Sequence, residues 1–145
     1  MKHPDKNIMR ELIHDQWTKH SIYAAVVDEA GQIIAKGRTT IGQDNDPTAH
    51  AEVNAIREAC RRLGVSQFPD GCWLYSTFEP CPLCASAALW AGMDGIVYAN
   101  NPDHRGKEEN WSFLSCEEVL RAGSYIHQTR LVKDFLLEEI KDYFR

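Results

Sequence analysis

A three-layer α/β/α sandwich, with helices on both faces of a mixed sheet of about five strands, is the fold this sequence predicts. Three observations lead to it. Apolar runs of strand length recur at residues 22–27, 33–35, 72–76 and 95–99, and stretches of helical periodicity alternate with them. The first two runs are joined by a tight turn, so they pair antiparallel. The last two are joined through a helix, which makes that pair parallel and the sheet mixed.

In chain order, Met9, Leu12, Ile13 and Trp17 mark the apolar face of a first helix. Ile22-Tyr23-Ala24-Ala25-Val26-Val27 is continuously apolar, as a central strand covered on both faces would be. Asp28-Glu29-Ala30-Gly31 supplies the turn into Ile33-Ile34-Ala35. The polar stretch 39–48 reads as a loop. It leads to a helix with Val53, Ile56, Cys60 and Leu63 on its apolar stripe, Arg57, Glu58, Arg61 and Arg62 on its wet side, and Gly64 as C-cap. His50 and Glu52 fall in its first turn.

Residues 72–76 form a third strand, and 81–90 a helix whose Ala85, Ser86, Ala87 and Ala88 permit close approach to a neighbour. After the strand at 95–99 comes a polar segment containing Trp111 and Phe113. A short helix around 117–121, a weaker strand around 126–131 and a terminal helix turning Val132, Phe135, Leu136, Ile140 and Phe144 inward complete the chain. Trp73 and Trp90 are expected to fill the core. No linker or repeat interrupts the order, so one domain over 1–145 is expected.

A chain of 145 residues can bury one core without disulfides. Its five cysteines are an odd number, and Cys60, Cys72 and Cys116 sit in apolar patterns suited to reduced thiols. Met1-Lys2-His3-Pro4-Asp5-Lys6 has no apolar signal-peptide core, and no run is long enough to span a bilayer. A cytoplasmic protein with no membrane partner is expected. The net charge of -5 offers no general attraction to phosphate backbones, which disfavours nucleic acid as a partner without excluding it.

The chemistry concentrates in His50-Ala51-Glu52 and Pro80-Cys81-Pro82-Leu83-Cys84. Cys81 and Cys84, at i and i+3 in the first turn of a helix, share one face, and the helix terminus favours their thiolates. His50 brings a third ligand from another helix. A purely structural zinc site closes its tetrahedron with a fourth protein ligand, whereas a catalytic one leaves that position to water, whose pKa falls from about 15.7 toward roughly 7. Glu52 is then a carboxylate the metal does not need, and the expected proton carrier.

Two other readings use the same residues. Cys-x-x-Cys also serves thioredoxin-like redox pairs, although that motif requires no partner His-x-Glu. A structural zinc clip would recruit a further ligand such as His104 or Cys116, giving a zinc-stabilised binding module without turnover. His3, His14, His20 and His127 taken singly read as surface or satisfied core residues, and Glu79 as an anchor for the turn before Pro80.

The combined pattern resembles the zinc-dependent cytidine and nucleobase deaminase superfamily, whose signature is His-x-Glu followed by Pro-Cys-x-x-Cys. Asn45-Asp46-Pro47-Thr48-Ala49-His50-Ala51-Glu52-Val53, Glu79-Pro80-Cys81 and Ala88-Leu89-Trp90-Ala91 are similar to the branch holding bacterial guanine deaminases and tRNA adenosine deaminases, with the likeness running from about Tyr23 to Ala99. The resemblance implies a cytidine deaminase-like fold, one catalytic Zn2+ on His50, Cys81 and Cys84, Glu52 as proton shuttle, and hydrolytic loss of an exocyclic amino group as ammonia. It implies a small nucleobase-like substrate, guanine first, and a homodimer. Editing of adenosine to inosine in tRNA is the alternative within the branch, and Asp142-Tyr143-Phe144-Arg145 resembles the end of those enzymes.

For substrate contacts the resemblance points to Tyr23, Thr39, the amide of Ala51, Trp90, and Trp111 in a segment where guanine deaminases place an acidic contact. Thr39 stands where the family usually carries a base-contacting asparagine. Its hydroxyl is shorter and single-pronged beside a carboxamide, so reading of the base edge must change or pass to another residue.

Overall fold

The computed structural model describes residues 3–105 and 112–145 of the chain. Trp111 and its candidate role as a substrate contact lie outside the described residues.

Five strands join one mixed sheet, as the sequence predicts. They are β1 (Tyr23–Val27), β2 (Ile33–Arg38), β3 (Trp73–Phe78), β4 (Gly95–Asn100) and β5 (Arg130–Val132), in spatial order β2-β1-β3-β4-β5. β1 pairs antiparallel with both β2 and β3, while β3, β4 and β5 run parallel. The middle of the sheet is therefore β3, and β1 is an interior strand one place from the edge. In the first turn Gln32 N–H donates to Asp28 Oδ1 at 2.8 Å, and Gly31 takes the left-handed backbone (φ 86) that suits glycine.

Strand alternation sorts the core into two faces. On one, Ala24, Val26, Leu74 and Ile96 pack against α3 (Ala51–Leu63), α4 (Pro82–Trp90) and α5 (Cys116–Ala122). On the other, Tyr23, Ala25, Val27, Trp73, Tyr75 and Val97 meet α1 (Lys6–Lys19) and the C-terminal segment. Asp5 caps α1, its carboxylate accepting the N–H groups of Asn7 and Ile8. Gly64 ends α3 in the left-handed conformation. A short helix, α2 (Ile41–Asp44), occupies part of the stretch expected to be loop.

Gly37 lets α3 lie tightly on β2. A Cβ there would run into the backbone of Ala51 and Ala55, so a side chain would push away the turn that carries His50.

Three expectations are corrected. Trp90 is 65% exposed on α4 and fills no core. Trp17 is 43% exposed at the rim, where its indole N–H donates to the Glu139 carbonyl at 3.1 Å and its ring meets Tyr143 edge-on. The terminal helix does not form. After β5 the chain passes through left-handed Asp134 and Leu136, and only a 3₁₀ turn follows at Leu137–Glu139. Tertiary bonds explain this. Phe135 N–H donates to Tyr98 O, and Asn100 Nδ2 donates to Ile140 O, so the sheet takes up backbone groups a helix would pair internally.

Candidate active site

Both metal-ligand segments open helices, and the sheet brings the two openings together. His50 is the N-cap residue of α3 and Cys81 the N-cap residue of α4, with Pro82 at the first helical position. Nδ1 of His50 lies 3.5 Å from Cys81 Sγ and 3.4 Å from Cys84 Sγ, and the two sulfurs are 3.8 Å apart. A tetrahedral zinc with Zn–S near 2.3 Å and Zn–N near 2.05 Å demands about 3.8 Å between sulfurs and about 3.6 Å between sulfur and nitrogen. The donor set fits. Among the described residues this is also the one cluster of three or more His, Cys, Asp or Glu side chains able to hold a metal, and neither His104 nor Cys116 joins it.

The protonation pattern points the same way. Hydrogen bonding to Cys84, and then to His50, pulls the Cys81 thiol down to about 4, which favours its thiolate. The contact with Cys81 raises both Cys84 and His50. Three donors thus crowd around one negative charge, and a dication there would take the place of the shared protons. The carbonyl of Pro47 also hydrogen-bonds the His50 ring, the kind of outer contact that fixes a ligand's orientation.

Glu52, one turn into α3, is buried (5% exposed), and no ion pair engages it among the described residues. Burial pushes its carboxyl up to about 7, against opposing hydrogen bonds from its own amide and from the Ser76 hydroxyl. It borders a cleft of about 360 Å³ that it shares with His50 and Cys81. Ile22 and Phe78 give the cleft apolar walls, and Thr39, Glu79, Arg105 and Ser112 give it polar ones. These groups gather where β3 ends, where β1 begins and where β2 gives way to its loop, beside the carboxyl ends of the parallel strands where α/β sheets bind ligands.

The candidate substrate contacts separate. Thr39 lines the cleft. Its neighbour Thr40 instead donates to Asp44 Oδ2 at 2.7 Å and accepts from Asn54 Nδ2. Tyr23 does not line the cleft: it falls on the α1 face of the sheet, and the preceding Ile22 takes the place expected of it. One position along a strand reverses the face. Ala51 is fully buried with its side chain in the core, leaving its backbone amide as its means of contact. Trp90 lies away from the cleft.

Sequence reasoning missed Ile22, Phe78, Arg105 and Ser112 as wall residues. It also missed Asn54, whose amide reaches Arg38 O at 2.8 Å, Thr40 Oγ1 at 2.9 Å and Ala49 O at 3.3 Å, and so staples both ends of the 39–50 loop. Asn54 carried a faint signal, sitting one turn from His50. Arg105 carried none.

Residues 5–100 match the model of the cytidine and deoxycytidylate deaminase zinc-binding region. The chain belongs to that deaminase family. Family members similar to it include the guanine deaminase of Bacillus subtilis, 49% identical over 77 residues (53% of this chain, 49% of that protein). The tRNA-specific adenosine deaminase of Aquifex aeolicus is 40% identical over 75 residues, covering 52% of this chain and 49% of the relative. The chain thus spans about half the length of these two curated relatives. A solved tRNA:A34 deaminase superposes with a TM-score of 0.76 at 25% identity, covering 97% of this chain and 100% of the other. A guanine deaminase from Nitrosomonas europaea shares the fold at TM-score 0.74 and 22% identity, covering 96% and 80%. The matched zinc-binding region spans His50, Cys81 and Cys84, whose donor atoms are spaced to hold a zinc ion.

Proposed function

We propose that this chain is a zinc-dependent aminohydrolase that removes an exocyclic amino group from a nucleobase or related heterocycle, with guanine to xanthine as its first reaction. The observation that carries this reading is Glu52, a buried carboxylate outside any ion pair of the described residues, facing the same cleft as three donors spaced for zinc. When bound, zinc supplies the Lewis acidity that lets a water lose a proton near neutral pH. Glu52 takes that proton and delivers it to a ring nitrogen, then takes the remaining proton of the added hydroxyl and passes it to the departing amine. The water's oxygen ends as a ring oxo group, the C–N bond breaks, and ammonia leaves.

Ile22 and Phe78 offer the planar ring apolar walls, while the Thr39 hydroxyl meets its polar edge. Apolar walls with a few polar groups between them suit a planar free base. Similarity to the guanine deaminase of Bacillus subtilis supports the choice of substrate. Ammonia release by the zinc-loaded protein, screened over guanine, adenine, cytosine, their nucleosides, pterins and triazines, tests it. Turnover of cytosine alone would reject the purine preference.

A second reading, adenosine editing in tRNA, gains support from one observation. Lys36, Arg38, Arg57 and Arg61 are scattered in sequence but line one groove with Asn54 and Thr40, beside the 39–50 loop. Asp44 and Glu58 partly offset their charge. A gel shift with tRNA at moderate salt decides between the two readings.

A homodimer and a cytoplasmic location complete the proposal. Leu83 and Trp90, both exposed and seven residues apart on α4, support the first. The absence of disulfides among the described cysteines supports the second. Among the described residues no helix is long and apolar enough to cross a membrane.

A further inference from the structure

The cleft opens where the sheet parts. β1 and β3 pair antiparallel from Val27 opposite Trp73 to Ala24 opposite Ser76, and the same register would set Tyr23 against Thr77 and Ile22 against Phe78. The ladder stops short of both pairs. Tyr23 stays paired with Arg38 of β2 and Phe78 with Asn100 of β4, so the β1–β2 hairpin leaves β3 while β3 follows β4. A side-chain bond crosses the split at that point. The Tyr23 N–H donates to the Thr77 hydroxyl oxygen at 3.1 Å, a side-chain acceptor where a ladder would use a carbonyl. Because the Thr77 side chain projects from the sheet, this bond takes the end of β1 out of the ladder.

The residues beside that bond line the cleft. Ile22 precedes Tyr23, Thr39 follows Arg38 and Phe78 follows Thr77, and all three are wall residues. Phe78 is fixed from its own strand, where the Ser76 hydroxyl donates to its carbonyl at 2.7 Å and accepts its N–H at 3.3 Å. Thr77 is fully buried, and alternation puts its side chain on the α1 face with Tyr23 and Tyr75. Bulk solvent does not reach there to replace its hydroxyl, so without it the Tyr23 N–H must go unpaired or draw β1 back onto β3.

We infer that Thr77 is a positioning residue whose hydroxyl holds the end of the hairpin off β3 and so sets the gap between Ile22 and Phe78 that admits a planar ring, a role that rests on the deaminase reading of the cleft. Unsubstituted purine is the probe, because it has ring faces but no exocyclic group. It is titrated calorimetrically into zinc-loaded wild type, Thr77→Val, Thr77→Ser, Ile22→Ala and the Ile22→Ala, Thr77→Val double variant, with thermal unfolding as the check on folding. KM and kcat for ammonia release from guanine are measured on the same proteins.

The expected result is purine binding weakened roughly 10-fold by Thr77→Val, a guanine KM raised by a similar factor with kcat changed less than about twofold, and both values restored by Thr77→Ser. Thr77→Val should add little once Ile22 is already alanine. Purine affinity unchanged by Thr77→Val, a loss that Thr77→Ser does not restore, full additivity with Ile22→Ala, or no purine binding by wild type would each overturn the inference. Ile22→Ala leaves the Tyr23 bond in place, so even if Thr77→Val failed to fold, undiminished purine binding by Ile22→Ala would overturn it. Purine binding that depends on the Thr77 hydroxyl, in a protein that releases no ammonia from any heterocycle, would support the inference and overturn the deaminase reading alone.

Discussion

The Glu79 carboxylate accepts the backbone N–H of Cys116 at 3.0 Å, tying the segment that leads from β3 into the metal-binding turn to the start of α5. The Tyr98 hydroxyl also hydrogen-bonds Glu79. Glu79 is buried, and Cys81 follows it by two residues. The anchor expected for its own turn thus reaches across to another helix.

Glu79→Ala should leave the buried Cys116 N–H without its acceptor and free the approach to Cys81. Leaving that buried donor unpaired costs about 1–3 kcal/mol. Urea unfolding should show that loss, and unchanged stability would mean that another group satisfies the amide.

Gly37→Ala should act at a distance on the same centre. The added methyl group meets the backbone of Ala51 and Ala55, which cannot rotate away, so α3 must shift. Overpacking of this kind costs about 1–3 kcal/mol. Urea unfolding should show that loss, whereas a variant as stable as wild type would contradict the close approach of α3 to β2.

Asp15 carries a pH-dependent share of stability. Burial alone would raise its carboxyl, but hydrogen bonds from Lys36 at 2.9 Å and Lys19 at 3.4 Å outweigh it and hold the group below its ordinary value. With the folded pKa depressed, the contribution is complete above the unfolded value of about 3.9 and is lost as pH falls through the folded one. Asp15→Asn should therefore cost about 1 kcal/mol at pH 7, with the difference from wild type shrinking below about pH 4. A difference that grew on acidification would reverse the assignment.

How much of this could be read in advance follows the range of the forces involved. The metal ligands, the strand order of the hairpin and the Gly64 cap are local patterns, and short-range rules find them. The C-terminal segment is different. Phe135, Leu136, Ile140 and Phe144 carry apolar spacing compatible with a helix, but bonds to Tyr98 and Asn100 in the adjacent strand override it. The same holds for the wall of the cleft. Tyr23 and Ile22 differ by one residue and face opposite layers, which only the sheet register decides. Trp90 follows composition toward the core, yet α4 turns it outward. The basic groove of Lys36, Arg38, Arg57 and Arg61 assembles only when α3 lies on β2.

The most direct test of the central claim compares zinc content and ammonia release in wild type, Glu52→Gln and Cys84→Ala on the best heterocycle of the substrate panel. The account predicts one zinc per chain in wild type and Glu52→Gln, a rate about 10²- to 10⁴-fold lower in Glu52→Gln, and loss of both metal and activity in Cys84→Ala. Full ammonia release by Glu52→Gln, or stoichiometric zinc retained by Cys84→Ala, would contradict it.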